Sequence, residues 1–335
     1  MPRRFARAVG LRGSATKGIV WLVLATSCFD GIVVVRAADD FGVAPAERRV
    51  LNFLAREVPL WSRENHCFSC HNNGDAARAL LAAKKAGVAL PEDALRETIA
   101  FLSRPERWDK NGVDAAFSDK RLARLQFANA LAAAVDANAI TDRSILLRAA
   151  DRLVEDQAAD GSWSIDEVAL IGSPATYGAP LATALARRTL LIAEARRYSG
   201  PIRHAERWLQ ARPVQNSLDA AAILIGLNPN EVSSELRGRC LSLIRKGQSS
   251  DGGWGPFPNS PPEAFDTAIT LLALSRWPVP SKEVTSFIQG GRRYLVANQV
   301  EDGSWTETTR PTGGESYAQR LSTTGWVALA LLATD

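Results

Sequence analysis

The chain is 335 residues long, 46% hydrophobic and 23% charged, with a net charge of +4 and a pI near 9.0. These are the proportions of a globular protein, enough for one large domain or two ordinary ones, and they exclude a disordered or low-complexity chain. The basic excess sits in residues 1–37, which carry Arg3, Arg4, Arg7, Arg12, Lys17 and Arg36 against Asp30; without them 34 cations (40 − 6) face 35 anions (36 − 1), so no nucleic-acid partner is implied.

Residues 1–37 have the layout of an export leader: an arginine-rich start, then the apolar runs "GIVWLVLATSC" and "FDGIVVVRAADD". Val35-Arg36-Ala37 offers small residues at the offsets needed for cleavage before Ala38. "LATSC" loosely resembles a lipobox that would make Cys28 a lipidated first residue, although Leu is missing three before the cysteine. A retained anchor is a third route, weakened by Asp30 inside the apolar run. All three lead to the periplasm or cell envelope, and membrane contact is expected only through this leader or a lipid on Cys28.

The next helical run, "LNFLAREVPLW", is followed by "NHCFSCHNNG", in which Cys67, Cys70 and His71 form Cys-x-x-Cys-His. That spacing attaches haem c through two thioethers and an axial imidazole, and the attachment takes place in the exported compartment. Two other readings stay open at this point. One is a local Cys67–Cys70 disulfide, and the other is a zinc site flanked by His66 and His71, for which the mature chain supplies few further ligands.

Downstream the chain alternates helix-like runs. "DAARALLAAKKAG" completes a first pair with "LNFLAREVPLW", and "ALRETIAFLSRPERW" pairs with "KRLARLQFANALAAA". "LLRAADRLVED" leads into "QAADGSW" (157–163) and then "LATALARRTLLIAEA". "HAERWLQARPVQNSLDAAAILIGL" (204–227) reads as a degenerate pair without an Asp-Gly turn. "LSLIRKG" precedes "QSSDGGW" (248–254) and "DTAITLLALS"; "RRYLVAN" precedes "QVEDGSW" (299–305) and "TTGWVALALLA". Six helix pairs with a repeat of roughly 45–50 residues follow. Asp-Gly supplies a tight turn, Gln can satisfy backbone groups at the end of its helix, and Trp supplies a stacking surface. The second helix of each pair carries few charges around its circumference, as expected of an inner helix.

The Gln-x-x-Asp-Gly-x-Trp segments resemble the QW motifs of the squalene–hopene cyclase and protein prenyltransferase superfamily. The resemblance covers residues 45–335 and implies an all-α fold, a single α6/α6 toroid. The chemistry of the family transfers poorly. The cyclases' Asp-x-Asp-Asp-Thr-Ala corresponds to Glu263-Ala264-Phe265-Asp266-Thr267-Ala268, where Phe265 stands in place of the proton donor. The acidic "SIDE" (164–167) lies in a different context. The prenyltransferases' zinc-binding Asp-x-Cys finds Asp266 but Ala268, and no His follows His204, so no zinc is expected. Asp266, Thr267 and Tyr177 remain candidates for a cavity rim, with an N-cap or salt bridge the simpler role for Asp266 and packing the simpler role for Tyr177.

By the same resemblance the outer-to-inner loops bear the reaction centre, so Cys67–His71 would sit at the barrel mouth above an Ala/Leu-lined cavity. His204, read as starting an outer helix, falls on the opposite rim. Met1 is the one methionine, so a processed chain excludes His/Met ligation and leaves the sixth haem site open or held by water, Tyr or Lys. The resulting expectation is an exported toroid with covalent haem c, acting in redox chemistry with a partner or on a small ligand. The alternatives are a haem-free barrel holding an isoprenoid-like or peptide ligand and, behind it, a terpenoid cyclase or transferase.

Overall fold

A computed structural model describes residues 44–111, 120–165, 171–277, 281–308, 310 and 314–335. Within them six outer/inner helix pairs follow one another. The outer helices are α1 (Pro45–Asn65), α3 (Arg96–Leu102), α5 (Arg143–Glu155), α7 (Ser199–Ala211), α9 (Ser234–Gly247) and α11 (Lys282–Ala297). Their inner partners are the π-helix Cys70–Ala76 continued by α2 (Ala77–Lys85), then α4 (Lys120–Asp136), α6 (Gly178–Glu194), α8 (Ser217–Gly226), α10 (Ala264–Leu274) and α12 (Tyr317–Ala333). Each inner helix packs on the next, and α12 packs back on α2 and the π-helix, so the inner ring is closed. The all-α toroid expected from the sequence is what forms, with no strand among the described residues.

Local chemistry explains where the helices start. Asp142, Asn216, Ser233, Ser281 and Ser316 each accept a backbone N–H of the first turn that follows, and so cap α5, α8, α9, α11 and α12. Every residue of α8 is buried, which is why "SLDAAAILIG" shows no polar face.

The three QW turns are copies of one device. Trp163, Trp254 and Trp305 donate their indole N–H to Leu153, Ile244 and Leu295 carbonyls in the last turn of their own outer helix, at 2.7–2.8 Å. Their backbone N–H groups are clipped by Thr183, Thr267 and Thr324 on the inner helix. The glutamines differ from the sequence expectation: rather than finishing their own helix, they reach the next unit. Gln157, Gln248 and Gln299 donate to Pro201, Phe287 and Ala46 carbonyls on the following outer helix, at 3.0–3.2 Å. The last of these joins the sixth unit to the first. Arg292 adds to that seam by pairing with Glu47 on α1 at 2.7 Å.

The degenerate unit uses a different tie. Ser217 at the start of α8 donates its N–H to Pro256 O and its Oγ–H to Gly255 O in the next turn. His204 is corrected by the structure: it lies mid-way along α7, exposed, and its carbonyl packs against Gly161 of the turn at 157–163. It is therefore beside an outer-to-inner loop, not on the opposite rim.

Glycine is required in the turns for two reasons. Gly303 has φ +96°, and an added Cβ would lie 2.5 Å from the Arg49 carbonyl oxygen on α1. Gly303→Ala is expected to cost about 2–5 kcal/mol, from left-handed backbone strain and a forced opening of the seam. Gly200→Ala is the matched control, since a Cβ there meets nothing within 4 Å. Thermal unfolding of the two variants checks this; equal midpoints would show that the seam is not load-carrying.

Candidate functional site

The Cys-x-x-Cys-His segment begins where α1 stops. His66 ends α1 in the left-handed region (φ 54°), turning the chain toward the interior. Asn111, after the 3-10 helix Pro105–Lys110, clasps the backbone of Phe68 on both sides, accepting its N–H at 2.9 Å and donating to its carbonyl. Ser69 then caps the π-helix, its hydroxyl accepting from the His71 and Asn72 backbone. Asn72 donates to Glu57 O at 3.0 Å and Asn73 to Val58 O at 3.2 Å, which anchors the π-helix on α1. Cys67 and Cys70 are half-buried on this fixed loop. The segment does occupy an outer-to-inner junction.

His71 turns inward, where its Nδ1 lies 2.7 Å from Ser322 Oγ on α12. Ser322 in turn donates to Asp75 Oδ2 at 2.8 Å. With its one proton committed to a carboxylate, the Ser322 hydroxyl can only accept from His71, so Nδ1 carries the imidazole proton and Nε2 keeps its lone pair. Desolvation lowers the His71 pKa below its ordinary value despite the nearby Asp75 charge, which keeps the ring neutral. The outcome is an imidazole of one tautomer with a basic Nε2.

Asp75 is the hub of this arrangement. It is 1% exposed and also accepts from Gln126 Nε2 on α4 at 2.7 Å, from the Tyr177 hydroxyl, and from Arg78 on α2 at 3.4 Å. Burial, followed by the Asp75 charge, pushes the Tyr177 hydroxyl well above its ordinary pKa, so it stays a donor. Side chains from four inner elements meet here, which puts the cluster inside the inner ring. Around it the interior is aromatic and polar where an Ala/Leu lining was expected. Trp326 packs edge-on to Tyr177 and Phe265 at 5.7 and 6.0 Å, with the Arg78 guanidinium 4.4 Å over its ring. The seven-residue π-helix packs tightly on α4: Gly74 abuts Gln126 so closely that a Cβ would approach Gln126 Cβ to 2.9 Å.

The three rim candidates are all buried, so none lies open on the rim. Tyr177, at positive φ, turns into the Asp75 cluster. Thr267 is the clip on Trp254 described above. Asp266 is held by Arg310, which donates to its Oδ2 at 2.8 Å and its Oδ1 at 3.1 Å and also to Glu263 and the Gly172 carbonyl. Burial raises Asp266 to about 6 even with that guanidinium beside it. Asp266 therefore has the salt-bridge role. Arg310 also lines a surface cleft of ≈ 430 Å³ with Glu263, Tyr294 and Glu307. Asp166 and Glu167 of "SIDE", the leader and Cys28 lie outside the described residues.

Sequence reading did not find Asp75, Gln126 or Ser322. Each has polar neighbours in the chain, Asn73 and Arg78, Arg124 and Asn129, Arg320 and Thr323, so no local break in the pattern marks it.

No protein-family model and no curated protein matches the chain. Solved structures do. The type II terpene cyclase MstE from Scytonema, in its apo form, aligns over 86% of this chain and 97% of its own with 13% identity and a TM-score of 0.55. A point variant of the same enzyme in complex with geranylgeranyl dihydroxybenzoate aligns over 87% and 99% with 14% identity and a TM-score of 0.53. A protein from Actinoplanes aligns over 86% and 98% with 17% identity and a TM-score of 0.54. Identities this low establish architecture, and the chain accordingly has the all-α toroid fold that the type II terpene cyclases share.

Proposed function

We propose that this toroid is an exported carrier of covalently bound haem c, attached at Cys67 and Cys70 with His71 Nε2 as axial ligand, working in redox chemistry or on a small ligand. The observation that carries the reading is the Asp75–Ser322–His71 relay. A metal-binding imidazole needs a neutral ring, a fixed orientation and its second nitrogen tied to an acceptor, and all three conditions are met. Haem bound there would supply one-electron or ligand-binding chemistry at iron. The chain's own contribution is to hold the attachment loop rigid through Asn111 and Ser69, to orient His71 through Ser322, and to keep bulk water from the Asp75 cluster.

Alkene protonation is the less favoured reading. It needs a carboxyl O–H aimed at substrate, and both Asp75 oxygens are occupied by protein donors while both Asp266 oxygens are occupied by Arg310.

The test is a reduced pyridine haemochrome spectrum of protein matured alongside a cytochrome c assembly system. A covalent c-type band is expected in the wild type and not in Cys67→Ala/Cys70→Ala. Its absence from wild-type protein, under conditions that mature a control cytochrome, would end the haem reading and leave the two cysteines as a staple or an unrelated pair.

A further inference from the structure

The Cys-x-x-Cys-His loop borders a surface cleft of ≈ 350 Å³ whose lining includes His66 and Phe68, the residues on either side of Cys67. One wall is aromatic. Phe68 stacks on Phe101 with ring centroids 4.1 Å apart and planes 9° from parallel, and Phe101 in turn meets Phe127 edge-on. The other wall is cationic, formed by Arg104, Arg107 and Lys110, all exposed.

These three cations have no carboxylate partner among the described residues, although carboxylates are close by in the chain. Asp109 is taken by Arg124 and Arg152, and Glu97, which also lines the cleft, is taken by Ser62 and Arg63. Those two anions are thus spent elsewhere, and Glu106, exposed on the same 3-10 helix, does not line the cleft, so a positive edge is left beside the aromatic wall. The two Asn111 bonds to Phe68 tie the cation-bearing 3-10 helix to the cysteine loop, so the cations keep a fixed offset from the thiols.

We propose that this cleft receives the acidic edge of a tetrapyrrole, with the ring against the half-buried Phe68, which Phe101 backs, and its two carboxylate side chains among Arg104, Arg107 and Lys110. This rests on the haem reading but makes a separate claim, which is non-covalent and concerns the carboxylates. A flat ligand with an apolar face and two anionic arms on one edge matches a wall of each kind set side by side.

Full-length Cys67→Ala/Cys70→Ala protein, unable to form thioethers, is titrated with zinc protoporphyrin and with its dimethyl ester, following porphyrin fluorescence. The diacid is expected to bind, and Arg104→Gln/Arg107→Gln/Lys110→Gln on that background to weaken it by about 10-fold or more, with the glutamate triple variant weaker still. The ester is expected to bind more weakly than the diacid and equally to all variants. An unchanged thermal midpoint shows that these exposed substitutions leave the fold intact. No diacid binding, equal affinity for diacid and ester, or diacid binding indifferent to the three cations would each overturn the proposal. The covalent reading stands or falls separately on the haemochrome band. Charge-dependent binding without that band makes the cleft a non-covalent tetrapyrrole site.

Discussion

Arg310→Met is expected to destabilise the protein by about 3–5 kcal/mol at pH 8, and by clearly less at pH 5. Asp266 has a side chain 0% exposed, and Arg310 holds both of its oxygens. Removing the cation leaves a carboxylate in a site that water does not reach. The pH dependence follows from the direction of the shift. In the folded protein Asp266 already sits at about 6, above its ordinary 3.8, because burial outweighs Arg310. An acid whose folded pKa is raised favours folding while protonated, fully so below the unfolded value, and that contribution is lost as pH rises through the folded value. Without Arg310 the folded value climbs further, so the variant can relieve the site by taking up a proton near pH 5 and cannot at pH 8. Arg310 itself is raised by the same contact, so the bond favours the charged pair even though burial opposes it. The midpoint should fall by on the order of 10 °C at pH 8. Equal losses at the two pH values would show that Asp266 is not the group left stranded.

Asp75→Asn should be comparably costly and should also change the state of His71. The carboxylate accepts from Tyr177 and Arg78 on Oδ1 and from Gln126 and Ser322 on Oδ2, and a carboxamide of the same shape turns both contacts on one side into donor against donor. A loss of about 2–5 kcal/mol is expected from the unsatisfied groups and the unpaired Arg78 guanidinium. The stability loss alone would be merely structural; the tautomer is the discriminating readout. In the wild type without haem, ring-nitrogen NMR should find the proton of His71 on Nδ1. In Asp75→Asn the Ser322 hydroxyl is freed to donate, and the proton should redistribute toward Nε2. A wild-type His71 protonated on Nε2 would remove the main support for axial ligation. His71 unchanged in the variant would show that Ser322, not Asp75, sets the tautomer.

The architecture was legible in the sequence because its repeated device is local: Gln, Gly and Trp within seven residues, always between a half-apolar helix and a largely buried one. Even the unit that lost its turn could be placed, since α8 is apolar on all sides. The site was less legible because its bonds are long-range. Tyr177 reaches Asp75 across 102 positions and Ser322 reaches it across 247. Thr267 shows the converse error, in which a residue within a family motif is spent on fixing Trp254. The π-helix at Cys70–Ala76 left no mark in composition or period, although it holds the buried Asp75 while Cys67 and Cys70 stay half-buried.

The bond from Gln299 to Ala46 spans 253 positions, and it is one of the contacts that turn a row of helix pairs into a ring. It also fixes an order of events. Each of the other Gln ties can form as soon as the next pair is made, by growth along the chain, whereas this one waits for the whole of it. Until then α1 and the π-helix have one neighbour instead of two, and the edge that α12 will cover stays open. In a chain growing from its N-terminus this contact is therefore the last of the three Gln ties to become available, at the flank of the loop that bears both cysteines. On the haem reading proposed above, an attachment enzyme meeting the chain before closure would find that loop on an open edge, and one arriving afterwards would find it already built into the wall.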